Sequence, residues 1–457
     1  MAKYELDMTR GPLFRQIFLF GIPLILTGLF QLFYNAADII VVGQFAGKEA
    51  LAAVGATGAV SGLLVNLFMG LSVGTSVVVA NSYGAGNYKR MQAAVHTSVT
   101  VAGVSGLILA LVGCLLARPL LTVMATPDDV LDGAALYLLI IFIGMPANLV
   151  YNFGAAALRA VGDTRRPLYF LCISGVVNVL LNLLFVVVFH MNVAGVALAT
   201  ILSQVVSAVL VVRCLMASGG PLHLDLKSLG VDWEIFRELL RIGLPAGLQN
   251  SLFSISNVLI QSSINSFGSD AIAGGSAAST IEGFTGCINV AFHEAVITCA
   301  GQNLGAKQYK RMRKGFVACL VCCSLFDLIV GNLVYLCHEP LLRLFNSDPQ
   351  VIEMGRIRMF YVVRLYILGA LLDIPSGQMR GMGYSICPTV ISLMGTVAFR
   401  IIWLATVFKA MPSLGTIYIV YPITWGFMAL AHYISYVIVR RKLPKEDMPL
   451  QDAALNL

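Results

Sequence analysis

Asp38 lies in the stretch LFYNAADIIVVGQF, residues 32–45, and between Gln16 and Gly47 it is the only Asp, Glu, Lys or Arg. Thr27, Gln31, Tyr34 and Asp38 are spaced four, three and four apart, which places them on one stripe of a helix. Ser174, Asn178 and Asn182 form a second stripe, and Thr200, Gln204 and Ser207 a third. A carboxylate in apolar surroundings is costly to keep ionised, so it can take up and release a proton near neutral pH. Amide and hydroxyl oxygens beside it can instead coordinate a hard cation such as sodium. The residues do not choose between the two. Asn, Ser and Thr alone also read as hydrogen-bond contacts between membrane helices. An ionisable residue at membrane depth argues for function.

The elements that position these residues follow from composition. The chain has 457 residues, 58% hydrophobic and only 12% charged, where a soluble protein carries about 25% charged residues. Residues 51–88, 133–158, 167–212, 242–269 and 410–439 contain no Asp, Glu, Lys or Arg. A spanning helix needs about 20 apolar residues. The run 167–212 is therefore two helices folded back at His190-Met191-Asn192. About twelve spans are expected, starting near 14, 51, 92, 131, 167, 194, 238, 272, 315, 354, 384 and 412. The runs are continuously apolar rather than alternating, which selects helices over barrel strands.

The net charge of +7 is a topology signal. Most basic residues fall in connections on the side of the N-terminal tail, including Lys89-Arg90, Arg165-Arg166, Lys307 to Lys314, Arg380 and Arg440 to Lys445. The opposite connections hold only Lys48, Arg118, Arg343 and Lys409. By the positive-inside rule both termini are cytoplasmic, and no nucleic-acid partner is implied. The tail MAKYELDMTRGPLFRQ is polar and mixed in charge, unlike a cleavable signal peptide. Cys319, Cys322 and Cys323 read as small apolar residues rather than a metal cluster, because no His or acid accompanies them at ligand spacing.

The chain repeats itself. YGAGNYKRM at 83–91 returns as LGAKQYKRM at 304–312, an offset of 221. Arg159 and Arg380, Gly162 and Gly383, and Pro167 and Pro388 hold the same offset. FRQIFLFGIP at 14–23 returns as FRELLRIGLP at 236–245. The expected organisation is a six-span lobe at 10–217, a cytoplasmic linker at 218–231, a second six-span lobe at 232–442 and a cytoplasmic tail at 443–457. Six spans return the chain to its starting side, so the repeats are parallel. Two such bundles around a central cleft suit alternating access.

The repeat also shows where the halves differ. Asp38 corresponds to Leu259 or Ile260, and Asn178, Asn182 and Thr200 to Phe399, Trp403 and Tyr421. The second half carries its own charges in spans: Glu282, Glu294, Asp327, Arg364, Asp373 and Arg400. Ion pairing among them is the plain reading, with Arg364 and Arg400 as the mid-span cations. Glu294 and Asp373 are candidates for attracting a cationic substrate, with Glu282, Gln249 and Asn257 beside them. His293-Glu294 lacks the second His of a zinc-protease motif. No convergent catalytic set suggests an enzyme, and no repeated pore-lining rings suggest a channel.

These residues resemble the multidrug and toxic compound extrusion (MATE) family over essentially the whole chain. The marks are GIP and GLP at 21–23 and 243–245, GQNLGA at 301–306, LRAVGDTRRP at 158–167, MRGMGYSICP at 379–388, NVLLN with VAGVALAT, and YPITW at 421–425. The resemblance implies twelve helices in two lobes. It implies export of amphipathic, often cationic compounds, driven by inward sodium or proton flow, with no organic cofactor. Asp38 matches the family's helix-1 acid, and Asn178, Asn182 and Thr200 match its first-lobe cation-site positions, with Gln31 and Tyr34 lining. Some branches carry a seventh-helix acid; GLPAGLQNSLFSISNVLIQSS has none. Pro23 and Pro245 remove a backbone donor in spans 1 and 7 and are bending points. The protein is expected to be a monomer in the cell membrane whose partners are small molecules and lipid. The alternative is a flippase for a lipid-linked saccharide or cell-wall precursor on a related two-lobed fold.

Overall fold

The computed structural model describes residues 4–124, 126–444 and 446–447. Lys3, Lys445 and most of the expected tail at 443–457 lie outside the described residues, as does the side chain of Lys48.

Twelve helical segments follow the expected spans. They are α1 (Leu13–Val41), α2 (Gly47–Gly84), α3 (Tyr88–Val123), then α4 (Asp128–Ile143) with α5 (Met145–Ala160), α6 (Arg165–Asn182), α7 (Asn192–Ala217), α8 (Trp233–Asn265), α9 (Ser269–Gly305) and α10 (Tyr309–Leu336). After the short α11 (His338–Arg343) come α12 (Pro349–Tyr361) with α13 (Ile367–Gly381), then α14 (Ile386–Leu393) with α15 (Phe399–Trp403), and α16 (Leu414–Tyr418) with α17 (Val420–Arg441). Among the described residues, eight helices are long and apolar enough to cross a membrane. A ninth span is the pair α4–α5, bent by 46° at Gly144, where Pro146 lacks the donor that would continue the helix. The longer α8 and α9 carry more polar residues along their length. Side chains such as Leu115 (70% exposed) and Leu336 (75%) face outward along the spans, as a lipid environment requires.

Two compact units emerge. Unit 1 comprises residues Met1–Leu6, Leu26–Tyr83 and Asn87–Gly247; unit 2 comprises Asp7–Ile25, Gly84–Gly86 and Leu248–Leu457. The first part of α1 thus clusters with the second half of the chain, and the first part of α8 with the first half. In both helices the division falls just past the proline, after Pro23 in α1 and after Pro245 in α8. In unit 1, α3 packs on α5, α6 on α7, and α4 and α5 on α7. In unit 2, α9 packs on α10, α12 and α13, and α13 on α17.

The internal repeat is written in the backbone. Gly47 (φ 87°) and Gly268 (φ 90°) are left-handed counterparts, as are Gly86 (φ 65°) and Lys307 (φ 55°), and Gly162 (φ 88°) and Gly383 (φ 85°). Asp163 N donates to Leu158 O, and Tyr384 N donates to Met379 O, so both copies end α5 and α13 with the same cap. The corner at His190-Met191-Asn192 is confirmed, with φ of 53° at His190 and 47° at Asn192. Four π-helical segments were not legible beforehand: Val42–Ala46, Leu183–Val188, Met394–Ala398 and Leu404–Phe408. The second and fourth are repeat counterparts.

Arg311 Nε donates to Met8 O at 2.8 Å, and Arg313 Nη2 donates to Pro444 O at 3.1 Å, so both chain ends meet the basic α9–α10 turn. Asp225 N donates to Nε2 of His96 at 3.1 Å, docking the linker on α3. Asp225 caps its own turn; the Lys227 N–H and the Ser228 hydroxyl hold its carboxyl below the usual carboxylate range.

Within unit 1, α2 meets α8 backbone to backbone. A Cβ on Gly70 would lie 2.0 Å from Gly247 N. Replacing Gly70 by Val forces the two helices apart. The expected loss is about 2 kcal/mol or more, read as a lower unfolding temperature of the detergent-purified protein; an unchanged temperature would show that the contact is not close.

Candidate functional site

The three polar stripes converge. Asn178 and Asn182 of α6 are fully buried, and Thr200 of α7 nearly so. Asn182 Nδ2 donates to Asp38 Oδ1 at 2.5 Å and to Asn178 Oδ1 at 3.0 Å. Thr200 Oγ1 lies 3.4 Å from Asp38 Oδ2. Tyr34 OH and Ser203 Oγ are 2.8 Å apart, and Ser203 Oγ donates to Thr200 O at 2.7 Å. Asn178 Nδ2 and Asn182 Oδ1 are buried without a hydrogen-bond partner. Turning the amides would redistribute donors and acceptors around the carboxylate. Two of the three helices bearing these groups change winding next to them: Val42–Ala46 follows Asp38 by about one turn, and Leu183–Val188 begins at the residue after Asn182. Such π segments cluster at functional sites.

Beside this cluster is a cavity of about 250 Å³. Gln31, Tyr34, Ser174, Gln204 and Ser207 line it, which joins the three stripes, and Ser203 lines it as well. Asn148 and Asn152 of α5 also line it, a contribution the sequence reading missed. They sit at helical spacing, i and i+4, which was the available signal. Tyr137 of α4 lies close enough to Asp38 to interact electrostatically and was also missed.

In unit 2 the expected charges sort differently. Glu282 pairs with Arg358, Oε2 to Nη2 at 2.8 Å, and not with Arg364 or Arg400. Arg364 stands over the rings of Phe360 and Tyr335. Arg400 stands 4.3 Å over the ring of Tyr421 and donates from Nη1 to Ser256 Oγ and Asn257 Oδ1, both at 3.3 Å. Among the described residues neither arginine makes an ion pair within 4 Å, which corrects the expectation of acidic partners. The five substrate candidates divide. Glu282 and Asn257 line a cavity of about 360 Å³. Gln249, Glu294 and Asp373 gather instead around Arg380, whose Nη2 donates to Gln249 Oε1 at 2.8 Å and which interacts electrostatically with both acids. Arg380 was expected in a connection; it is buried in the last turn of α13.

The comparisons decide what this architecture is. The MatE family profile matches residues 23–184 and 245–406, once in each half of the chain. The chain belongs to the MatE family.

Among its relatives, the probable multidrug resistance protein YoeA of Bacillus subtilis is 27% identical over 443 residues, spanning 95% of this MatE chain and 96% of the relative. The probable multidrug resistance protein NorM of Thermotoga maritima is 26% identical over 402 residues, covering 85% and 84%. An FAD transporter of Shewanella oneidensis is 24% identical over 350 residues, covering 75% and 76%. Among solved structures, an outward-facing multidrug resistance MATE family transporter superposes with a TM-score of 0.87 at 21% identity, covering 97% and 98% of the two chains. A MOP superfamily transporter from Pyrococcus furiosus gives 0.89 at 22%, covering 96% and 99%. The fold is the all-α, two-bundle membrane fold of these transporters, and this MatE protein is a multi-span membrane protein of a transporter family.

The Glu282–Arg358 pair is largely shielded, with side chains 16% and 9% exposed. Removing one partner strands the other charge. Arg358→Met is expected to destabilise the MatE protein by about 3 kcal/mol, and a Glu282→Gln/Arg358→Met double variant to recover most of it. Equal unfolding temperatures for the single and double variants would refute the pairing.

Proposed function

We propose that this MatE protein is a cation-coupled antiporter that exports amphipathic, predominantly cationic compounds by alternating access. In this reading it works as a monomer in the cytoplasmic membrane with both termini inside. The observation that carries the reading is the contact of the Asp38 carboxylate with Asn182 and Thr200, two groups from neighbouring helices of one bundle.

The coupling chemistry follows from that contact. Ionised Asp38 accepts hydrogen bonds from Asn182 and Thr200. A proton on Oδ1 turns that acceptor into a donor, and the Asn182 amide must then turn to offer its own Oδ1; a proton on Oδ2 is donated to the Thr200 hydroxyl instead. For sodium, the same turn would add an amide oxygen to those of Asp38 and Thr200. Either event repacks α1 against α6 and α7. Through Ser203, the change reaches Tyr34 and the adjoining cavity, so ion and drug occupancy compete or favour opposite-facing states. Pro23 and Pro245 supply the bending points, supported by their position beside the divisions within α1 and α8. Relatives named for multidrug resistance support small-molecule export.

The test is ethidium efflux from energised vesicles under imposed proton or sodium gradients. The unmutated protein is expected to move ethidium under one of them. Asp38→Asn is expected to reduce gradient-driven efflux to the rate of empty vesicles while the purified variant still binds ethidium. Intact driven transport in Asp38→Asn would remove Asp38 from coupling. Movement of a lipid-linked saccharide, with no dye transport under either gradient, would favour the flippase.

A further inference from the structure

The cavity of about 360 Å³ in unit 2 has a charge imbalance. Three charged residues line it: Glu282 of α9, Arg358 of α12 and Arg400 of α15. Arg358 holds the Glu282 carboxylate with two hydrogen bonds, from Nε at 3.2 Å and Nη2 at 2.8 Å. Glu282 is within electrostatic range of Arg400, but one carboxylate then serves two guanidinium groups. One positive charge is left over.

That charge belongs to Arg400, which is only 2% exposed. Its neutral partners, Ser256, Asn257 and the face of Tyr421, orient it without cancelling its charge. Both of these hydrogen bonds leave from Nη1, and Nε is buried with none. A guanidinium kept at membrane depth normally has an anion beside it. Its Nε edge is a planar donor fork that matches a carboxylate. The rest of the lining includes four aromatic side chains, Phe253, Tyr366, Tyr421 and Trp425, beside Ile260 and Ile264 and the polar Asn257, Gln261 and Ser279. Such walls suit a flat apolar body attached to the anionic group.

We propose that the Arg400 cavity binds the carboxylate of an amphiphilic aromatic compound, so that the second bundle recognises the anionic end of a zwitterionic cargo. This rests on the export reading for the identity of the ligand as cargo. It adds a recognition site opposite in sign to Asp38. By the repeat, Arg400 stands next to Phe399, the counterpart of Asn178.

Norfloxacin, a zwitterion with a carboxylate, and its methyl ester, which lacks one, are the probes. Binding is measured by fluorescence on the purified full-length protein in neutral phosphatidylcholine nanodiscs, without any gradient. The unmutated protein is expected to prefer the acid by about tenfold, the scale of a charge-assisted bidentate contact. Arg400→Gln is expected to erase the preference and leave ester and ethidium binding unchanged, and Arg400→Lys to keep a reduced preference. No preference in the unmutated protein overturns the proposal, whether or not Arg400→Gln can be purified. An equal loss of acid, ester and ethidium binding in Arg400→Gln overturns it too. A preference abolished by anionic phosphatidylglycerol assigns the site to a lipid phosphate and also overturns it. Ethidium carries no carboxylate, so failure here leaves the Asp38 test of coupling standing.

Discussion

A polar group at membrane depth has no water to satisfy it, and four of the buried charges among the described residues show how that shortage is met. Asp38 is met by Asn182 and Thr200. Glu282 is met by Arg358, and Arg380 by Gln249. Arg400 is met by a hydroxyl, an amide and a ring face. These are different degrees of satisfaction. A carboxylate held only by neutral donors, or a guanidinium held only by neutral acceptors, keeps an appetite for a counter-charge that a paired ion has lost. The same shortage governs the backbone: prolines and π-helical segments leave carbonyls without their usual partners, and α1, which carries Asp38, contains Pro23 and runs into the π segment Val42–Ala46.

The duplication separates what the fold needs from what the site needs. Turns are kept at the 221-residue offset, down to left-handed φ at Gly86 and Lys307, although lysine adopts that region at a cost. The polar groups are not kept. Asp38 faces a leucine or isoleucine counterpart, and Asn178, Asn182 and Thr200 face Phe399, Trp403 and Tyr421. A scaffold that tolerates either set does not require the acid for folding.

Much of this is legible in the sequence. Continuous apolar runs give spans because no other element satisfies its own backbone in lipid. Stripes at spacings of three and four converge because each helix turns its polar face away from lipid, so Asp38, Asn182 and Thr200 meet. Pairing among the second-half charges was not readable. Glu282 and Arg358 are on separate helices, and only the relative rotation of α9 and α12 brings them together; hydropathy is blind to rotation. Arg380 looked like a loop cation because it sits where the apolar run ends, yet the last turn of α13 folds it inward. The π segments left no mark, since one extra residue in a turn changes no composition.

The division of α1 and α8 has a consequence for biogenesis. Each compact unit takes a stretch from the other half of the sequence: Asp7–Ile25 is made first but belongs with what is made last. Trp233–Gly247 is made after the linker but completes what came before it. During synthesis the leading segment must therefore wait, inserted in lipid, until most of the chain has followed. A gene cut at the linker would yield two polypeptides that each lack part of a bundle and hold part of the other's. The repeat in the sequence and the compact units of the fold therefore have different boundaries.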